Sequence, residues 1–470
     1  MLARSSTVAT SGLGRSVRLS PAFARAAERV SSQSNVWVPV LKLTRAVSHR
    51  PVTVVPVRAA ADVGIGFDLF DPGFVAEPEE PLAQLREQAP VQRDPSTGLW
   101  LVSRYADVRE VLADPEVFRP DNALTAVTPL PVPTLRMLAR AGFSLPPTLA
   151  NNGTDSHSGL RRVVASFLTP PRIDRAMELT RALVASGLDE ARRQLAETGS
   201  CDLVELIARD LPCLVLLDIL GIEGVDLPVL KAWSRASLEL FWGNPDPARQ
   251  RQLAEEAAEF HQWLAARVRA AEPSPEDLFG ALVAHRKPGE RPLRVAEAVG
   301  VCYFLLIAGQ ETTTQLLSTL IRRCVERPEL WKRLSDGENG LAADCVEEIL
   351  RREPPVITWR RITARGTSLS GVELPEGAQL LLMLAGSGSD PEVFAEPSRL
   401  CPGRAQARRH LAFGYGRHFC LGAGLARAEA AVVLDAVARA LPDLRLLEPD
   451  PPMLGLLSFR APTRLQVARA

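Results

Sequence analysis

Phe413 to Gly422, FGYGRHFCLG, sets one cysteine, Cys420, in a loop cleared by three glycines, Gly414, Gly416 and Gly422. Glycine lets a backbone turn at positive φ and approach a flat object closely. The run LARAEAAVVLDAVARAL that follows has helical composition and spacing, so the loop ends at or just before a helix N-terminus. Free N–H groups and partial positive charge at that point favour a thiolate over a thiol. A lone cysteine is more often a buried structural one, and the loop by itself leaves both readings open.

The whole string decides between them. Phe413, Gly414, Gly416, His418, Cys420 and Gly422, followed by Leu425, Ala426 and Arg427, fill every position of the loop that binds haem in the cytochrome P450 family, which this stretch resembles. The resemblance implies that Cys420 is the axial thiolate of haem b, with Phe413, Gly414, His418 and Gly422 against the cofactor. Thiolate ligation favours O–O cleavage.

Val295 to Cys324, VAEAVGVCYFLLIAGQETTTQLLSTLIRRC, reads as one long apolar helix. Its middle, Ala308-Gly309-Gln310-Glu311-Thr312-Thr313, carries glycine, an acid and threonines that do nothing for helix propensity. The string resembles the family's Ala-Gly-x-Asp/Glu-Thr segment. By that likeness Ala308 and Gly309 lie at the haem, the helix widens there into a groove, Thr312 holds oxygen or a water, and Glu311 brings protons from solvent.

Other landmarks follow in family order. His157 and Arg161 stand four apart, on one face of a helix, and the resemblance places both on haem propionates. Arg361 matches a third propionate ligand, with Arg360 beside it one position away. Glu348 and Arg351 are three apart in VEEILRREPPV, and Arg399 fits the third place of that structural cluster. Gly388-Ser389-Asp390-Pro391 departs from the usual Asn-Arg-Asp-Pro. The final strands near Leu454–Phe459 are expected to return a loop to the pocket.

Between these landmarks the chain is read locally. PLAQLREQAP is a short helix; Val91–Arg93 and Leu99–Ser103 form a hairpin around Pro95–Gly98; ADVREVLADPEVF is a helix. Phe118–Asn152 is Pro-rich and weakly periodic, read as a long loop with Leu124, Val127, Leu130, Phe143 and Leu145 as candidate substrate contacts. Pro171–Leu282 is almost all helix, and Leu230–Gly243 is either a substrate lid or ordinary packing.

Residues 1–62 are Arg- and Ser-rich with a single acid before Asp62, a composition shared by transit peptides and by non-native or disordered starts; the second is favoured, with the catalytic domain at 63–470. Equal numbers of acidic and basic residues, 55 each, give no basic face for nucleic acid. No apolar run reaches the roughly 18 residues of a membrane span. Seven irregularly spaced cysteines without a C-x-x-C motif argue against a disulfide framework or zinc site and for a reducing compartment.

The fold expected is a single, mostly helical α+β domain with small sheets, haem lying between the long helix and the cysteine loop. The activity expected is a cytoplasmic, monomeric haem-thiolate monooxygenase of secondary metabolism. It inserts one atom of O₂ into a small apolar substrate, and its electrons come from a ferredoxin with an NAD(P)H-dependent reductase. Arg408, Arg409 and Arg417 are candidates for the docking face of that partner. Radical coupling or cyclisation, peroxide-driven turnover and a non-catalytic haem-binding role are the alternatives, and Glu311–Thr312 argues against the last two.

Overall fold

The computed structural model of the chain describes residues 68–470. The extension at 1–62, the boundary at 63 and Phe67 lie outside them. The hairpin forms as expected: Val91–Arg93 pairs antiparallel with Trp100–Val102, and Gly98 takes φ +72° in the turn. Helices cover Glu79–Gln88 and Tyr105–Ala113, the latter burying Val108, Val111 and Leu112.

A five-stranded sheet runs in the order Val91–Arg93, Trp100–Val102, Gln379–Met383, Thr358–Thr363, Phe118–Arg119. Its central strands come from the chain's two ends, so the small β lobe ties the N-terminal elements to the region before the cysteine loop. In Thr358–Thr363 side chains alternate between faces, which sends neighbouring arginines in opposite directions.

The remainder is helical. Val295–Val325 runs through the middle and packs against Leu211–Ile219, Leu227–Trp242, Pro247–Ala270 and Ala423–Ala440. It is long and apolar enough to cross a membrane by composition alone, contrary to the sequence-based estimate. It is instead a core helix: Gln310, Glu311, Gln315 and Arg322 are buried along it among protein side chains. Each apolar side chain it buries contributes about 1.5–3 kcal/mol.

Phe118–Asn152 is not one loop. Val132–Arg140 forms a helix started by Pro131 and Pro133, where proline's fixed φ suits a first turn. Two of the prolines that suggested an irregular segment, Pro131 and Pro133, are helix-start residues.

Candidate active site

The cysteine loop faces the long helix across a cavity, as the sequence suggested. Cys420 N–H donates to Phe413 O at 2.9 Å, closing the loop, with Gly414 at φ +72° and Gly416 at φ +69°. The helix Ala423–Ala440 begins directly behind it. Across a cavity of about 1620 Å³, counting its open side, stand Ala308, Gly309 and Thr312.

One wall of this cavity gathers four nitrogen-bearing side chains. His157 is 2 % exposed and its ring lies 4.4 Å from that of His418. Arg161 Nη2 donates to Phe419 O at 2.7 Å. Arg361 is buried and its Nη1 reaches only the Arg360 carbonyl, at 2.8 Å. His418 Nε2 is buried without a partner. No acidic residue lines the cavity among the described residues. Burial and the surrounding arginines lower His157 to about 4 and His418 to about 3, so both are neutral at pH 7. Burial lowers Arg361 to about 10, which leaves it charged. Unpaired donors around an apolar floor suit a flat group carrying carboxylates, and the residues present therefore fit haem.

Arg361, not Arg360, turns toward Cys420; alternation in the strand sends Arg360 to the other side. Thr312 Oγ1 donates to Ala308 O at 2.7 Å, the i−4 bond typical of threonine in a helix. Its lone pairs are left for a donor in the cavity. The helix stays regular through this stretch, and no widened groove forms. A Cβ on Gly309 would come within 2.9 Å of Leu216, so this glycine also makes room for the neighbouring helix.

Cys420 departs from expectation in one respect. Burial raises its thiol, and this outweighs the backbone N–H groups of Gly422 and Ala423 and the charges of Arg161 and Arg427, all of which lower it. The thiol is accessible from the cavity yet surrounded by protein, so exposure of its surface does not mean contact with bulk water.

Glu311 is not open to solvent. It is 7 % exposed and meets Lys231 Nζ at 2.8 Å, in an ionic contact whose angles do not make a hydrogen bond. Two further links continue this seam. Gln310 Nε2 donates to Ser234 Oγ at 2.7 Å, and Ser237 Oγ lies 2.6 Å from Tyr303 Oη. The helix Leu227–Trp242 is thus docked on the long helix through positions 231, 234 and 237, while Leu238 and Trp242 face the cavity. The packing reading of this segment holds, and the segment also supplies two side chains to the cavity wall. Four lysines in 470 residues were the one sequence signal that Lys231 is unusual.

None of Leu124, Val127, Leu130, Phe143 and Leu145 lines the cavity; Leu149 and Ala150 do, while Val127, Leu130 and Phe143 line a separate cleft. Phe459 does return to the pocket, and Leu457 N–H donates to Trp242 O at 2.8 Å.

Beneath the loop, Glu348 and Arg351 are both fully buried and joined by bonds of 2.8 and 2.9 Å. The third cation is Arg404, not Arg399. Arg404 Nε lies 3.2 Å from Glu348 Oε1, whereas the Arg399 guanidinium pairs with exposed Glu396 at 3.3 Å. The chain reverses at Gly403, φ +84°, which swings Arg404 back onto the cluster. Arg399 contributes only its carbonyl, 3.3 Å from Arg351 Nη2. Gly388 touches Arg351 so closely that a Cβ would sit 1.8 Å from the Arg351 carbonyl, which accounts for glycine in place of asparagine.

Sequence reasoning missed Glu347. Arg427 Nε at 2.6 Å and His410 Nε2 at 3.2 Å both reach it. Despite burial, those two partners hold its carboxyl down to about 2. It bolts the helix Leu341–Arg352 to the helix behind Cys420. The doubled glutamate in VEEILRR was the available clue.

Residues 341–441 match the family profile described as Cytochrome P450. The chain is 33 % identical over 365 residues to erythromycin C-12 hydroxylase of Saccharopolyspora erythraea, covering 76 % of this chain and 85 % of that protein. It is 32 % identical over 393 residues to mycinamicin IV hydroxylase/epoxidase of Micromonospora griseorubida, covering 82 % and 94 %. Its structure is similar to that of cytochrome P450 CREJ in complex with (4-ethylphenyl) dihydrogen phosphate. The TM-score is 0.80 at 29 % identity, over 86 % of this chain and 99 % of that one.

Proposed function

The chain belongs to the cytochrome P450 family and is a haem-dependent monooxygenase; from that premise we propose that Cys420 would hold the iron of haem b through its thiolate. His157, Arg161, Arg361 and His418 hold its propionates in this reading, and Thr312 with Glu311 handles protons on the opposite face. The observation that carries the proposal is the meeting of Cys420, Thr312 and four acid-free donors in one cavity.

When bound, the haem supplies the site that binds O₂ and transfers one oxygen atom. The protein's own residues prepare that site. Arg161 and Arg361 would pair with its carboxylates by charge-assisted bonds and so orient the group. Phe413 and Gly414 keep the cysteine side close and dry. Leu216, Leu238, Trp242 and Phe459 exclude water above it and select an apolar substrate.

Thr312 Oγ1, already donating to Ala308, accepts a bond from a water at the cavity face and positions that water's second proton. Glu311 relays protons behind it, its carboxylate taking each one up from solvent before passing it on. While Lys231 holds the carboxylate, delivery requires the helix Leu227–Trp242 to loosen, so lid motion and proton supply are linked. Electrons arrive from a separate ferredoxin and its reductase, with exposed Arg408 and Arg409 on the docking face near the cysteine loop. The substrate class is an apolar secondary metabolite, in line with the names of the relatives, and the setting is the cytoplasm.

The test is turnover of the holoenzyme with NAD(P)H, ferredoxin and reductase on a panel of apolar natural products. A product heavier by one oxygen atom, absent when hydrogen peroxide replaces the redox chain, is expected. Products that only lose hydrogens would contradict the oxygen-insertion reading.

A further inference from the structure

We propose that the cleft between the helix Val132–Arg140 and the end of the helix Leu227–Trp242 is a second binding site. Its ligand is an amphipathic small molecule whose anionic head, a carboxylate or phosphate monoester, pairs with Arg360. This site shares no lining residue with the cavity in front of Cys420 and does not depend on the assignments made there.

The cleft walls are mainly apolar, with Val127, Leu130, Leu138, Phe143, Leu240 and Phe241, and Thr97, Thr125 and Gln379 add uncharged polar groups. Among the described residues its only charged lining group is Arg360, which is 3 % exposed. Arg360 Nη2 donates to Ala123 O at 3.1 Å, and Nε has no partner. The guanidinium lies 6.0 Å from the centre of the Trp242 ring. Among the described residues no carboxylate forms an ion pair with it, and its pKa is lowered by burial alone, to about 10. It is therefore a buried cation at neutral pH with no counter-charge. Buried charges are otherwise paired or engaged with a ligand.

The geometry is built rather than incidental. The strand Thr358–Thr363 turns Trp359 and Arg361 into the active cavity and Arg360 to its opposite face, into the cleft. The wall is pinned by Val127 N–H donating to Phe241 O at 3.1 Å and by Gln250 Nε2 to Pro129 O at 3.4 Å. At the mouth, Leu135 is 50 % exposed, giving an apolar lip. Apolar walls ending at one unpaired guanidinium call for a hydrocarbon body and a single acidic head. A neutral molecule leaves the charge unpaired, and a small hydrophilic anion leaves the walls uncovered.

Occupancy has a route to the catalytic side. Trp242, beneath Arg360, also lines the active cavity and stacks with Trp359 at 6.2 Å. A bound head group that shifts Arg360 would move one wall of that cavity.

The experiment uses the holoenzyme with its iron saturated by an imidazole ligand, so that the active cavity is blocked. Dodecanoate, dodecyl phosphate and dodecanol are titrated calorimetrically below their micelle concentrations, with inorganic phosphate as a fourth probe. The acids should bind about tenfold or more tighter than dodecanol, and inorganic phosphate should not bind. Binding of only one acid satisfies the proposal and assigns the head group. Arg360→Gln should erase the preference for acids, and Ala139→Trp, which fills the exposed side of the cleft, should weaken all three amphiphiles. Equal binding of dodecanol and dodecanoate to the wild-type protein overturns the proposal without recourse to any variant. So does a preference for acids that survives in Arg360→Gln, or binding of neither acid.

Discussion

Removing Arg404 should destabilise the protein, while removing Arg399 should not, although the sequence pattern points to Arg399. Glu348 is fully buried and accepts bonds from Arg351 at 2.8 and 2.9 Å, from Arg404 at 3.2 and 3.3 Å and from Cys401 N–H at 2.9 Å. Arg351→Ala leaves that carboxylate in the interior without its main partner, a loss of about 3–5 kcal/mol. Arg404→Ala removes a longer charge-assisted contact and should cost about 1.5–3 kcal/mol. Arg399 meets only Glu396, with both side chains more than two-thirds exposed, so Arg399→Ala should cost less than about 0.5 kcal/mol. Urea unfolding of each holoenzyme, followed by far-ultraviolet circular dichroism and by haem absorbance, gives the ranking. Because the cluster lies under the cysteine loop, haem loss should precede or accompany unfolding in the first two variants. Equal costs for Arg399→Ala and Arg404→Ala would refute this reasoning, as would an Arg351→Ala protein within 1 kcal/mol of wild type.

Three further outcomes follow from the site and its surroundings. Thr312→Ala and Glu311→Gln should each lower the product formed per NAD(P)H by about 10²-fold or more while leaving the substrate-induced haem absorbance shift intact; full coupling in either variant would remove that residue from proton handling. Glu429 is buried with its carboxyl raised well above the usual range by burial, so there is a pH span above ~4.3 in which it is protonated in the fold and ionised in the unfolded chain. Unfolding then releases a proton, and stability falls as pH rises, by up to about 1.4 kcal/mol per unit; Glu429→Gln should remove that slope in urea titrations at pH 6 and 7.5, and parallel curves would contradict it. Lys231→Met should weaken docking of the helix Leu227–Trp242, read as faster amide hydrogen exchange across that helix than in wild type; unchanged exchange would show that the Glu311 pair does not hold it.

Much of the fold was legible because its local rules agree with one another. The hairpin, the helices with regular apolar spacing and the long helix Val295–Val325 all appear where periodicity put them. The region after Phe118 was not, because Pro131 and Pro133 read equally as loop breakers and as a helix start. In the site, His157, Arg161, Thr312, Arg361, His418 and Cys420 come together as the motifs implied. The misses are partner choices made across the fold. Glu311 meets Lys231 from a helix 80 positions earlier, and Glu348 takes Arg404 because a glycine turn reverses the chain. Motif spacing fixes which residues exist on a face, but not which distant cation reaches it. Arg360 shows the same limit from the other side: adjacent arginines look interchangeable in sequence, and only strand alternation separates them into two cavities.

The central claim is that Cys420 ligates the iron as a thiolate. The direct measurement is the absorption spectrum of the reduced, CO-bound holoenzyme, for the wild-type protein and for Cys420→Ser. The wild type should show the long-wavelength Soret band characteristic of thiolate ligation, and Cys420→Ser should lose it while still binding haem between Arg161 and Arg361. Retention of that band in Cys420→Ser, or its absence from a fully haem-loaded wild type, would contradict the account.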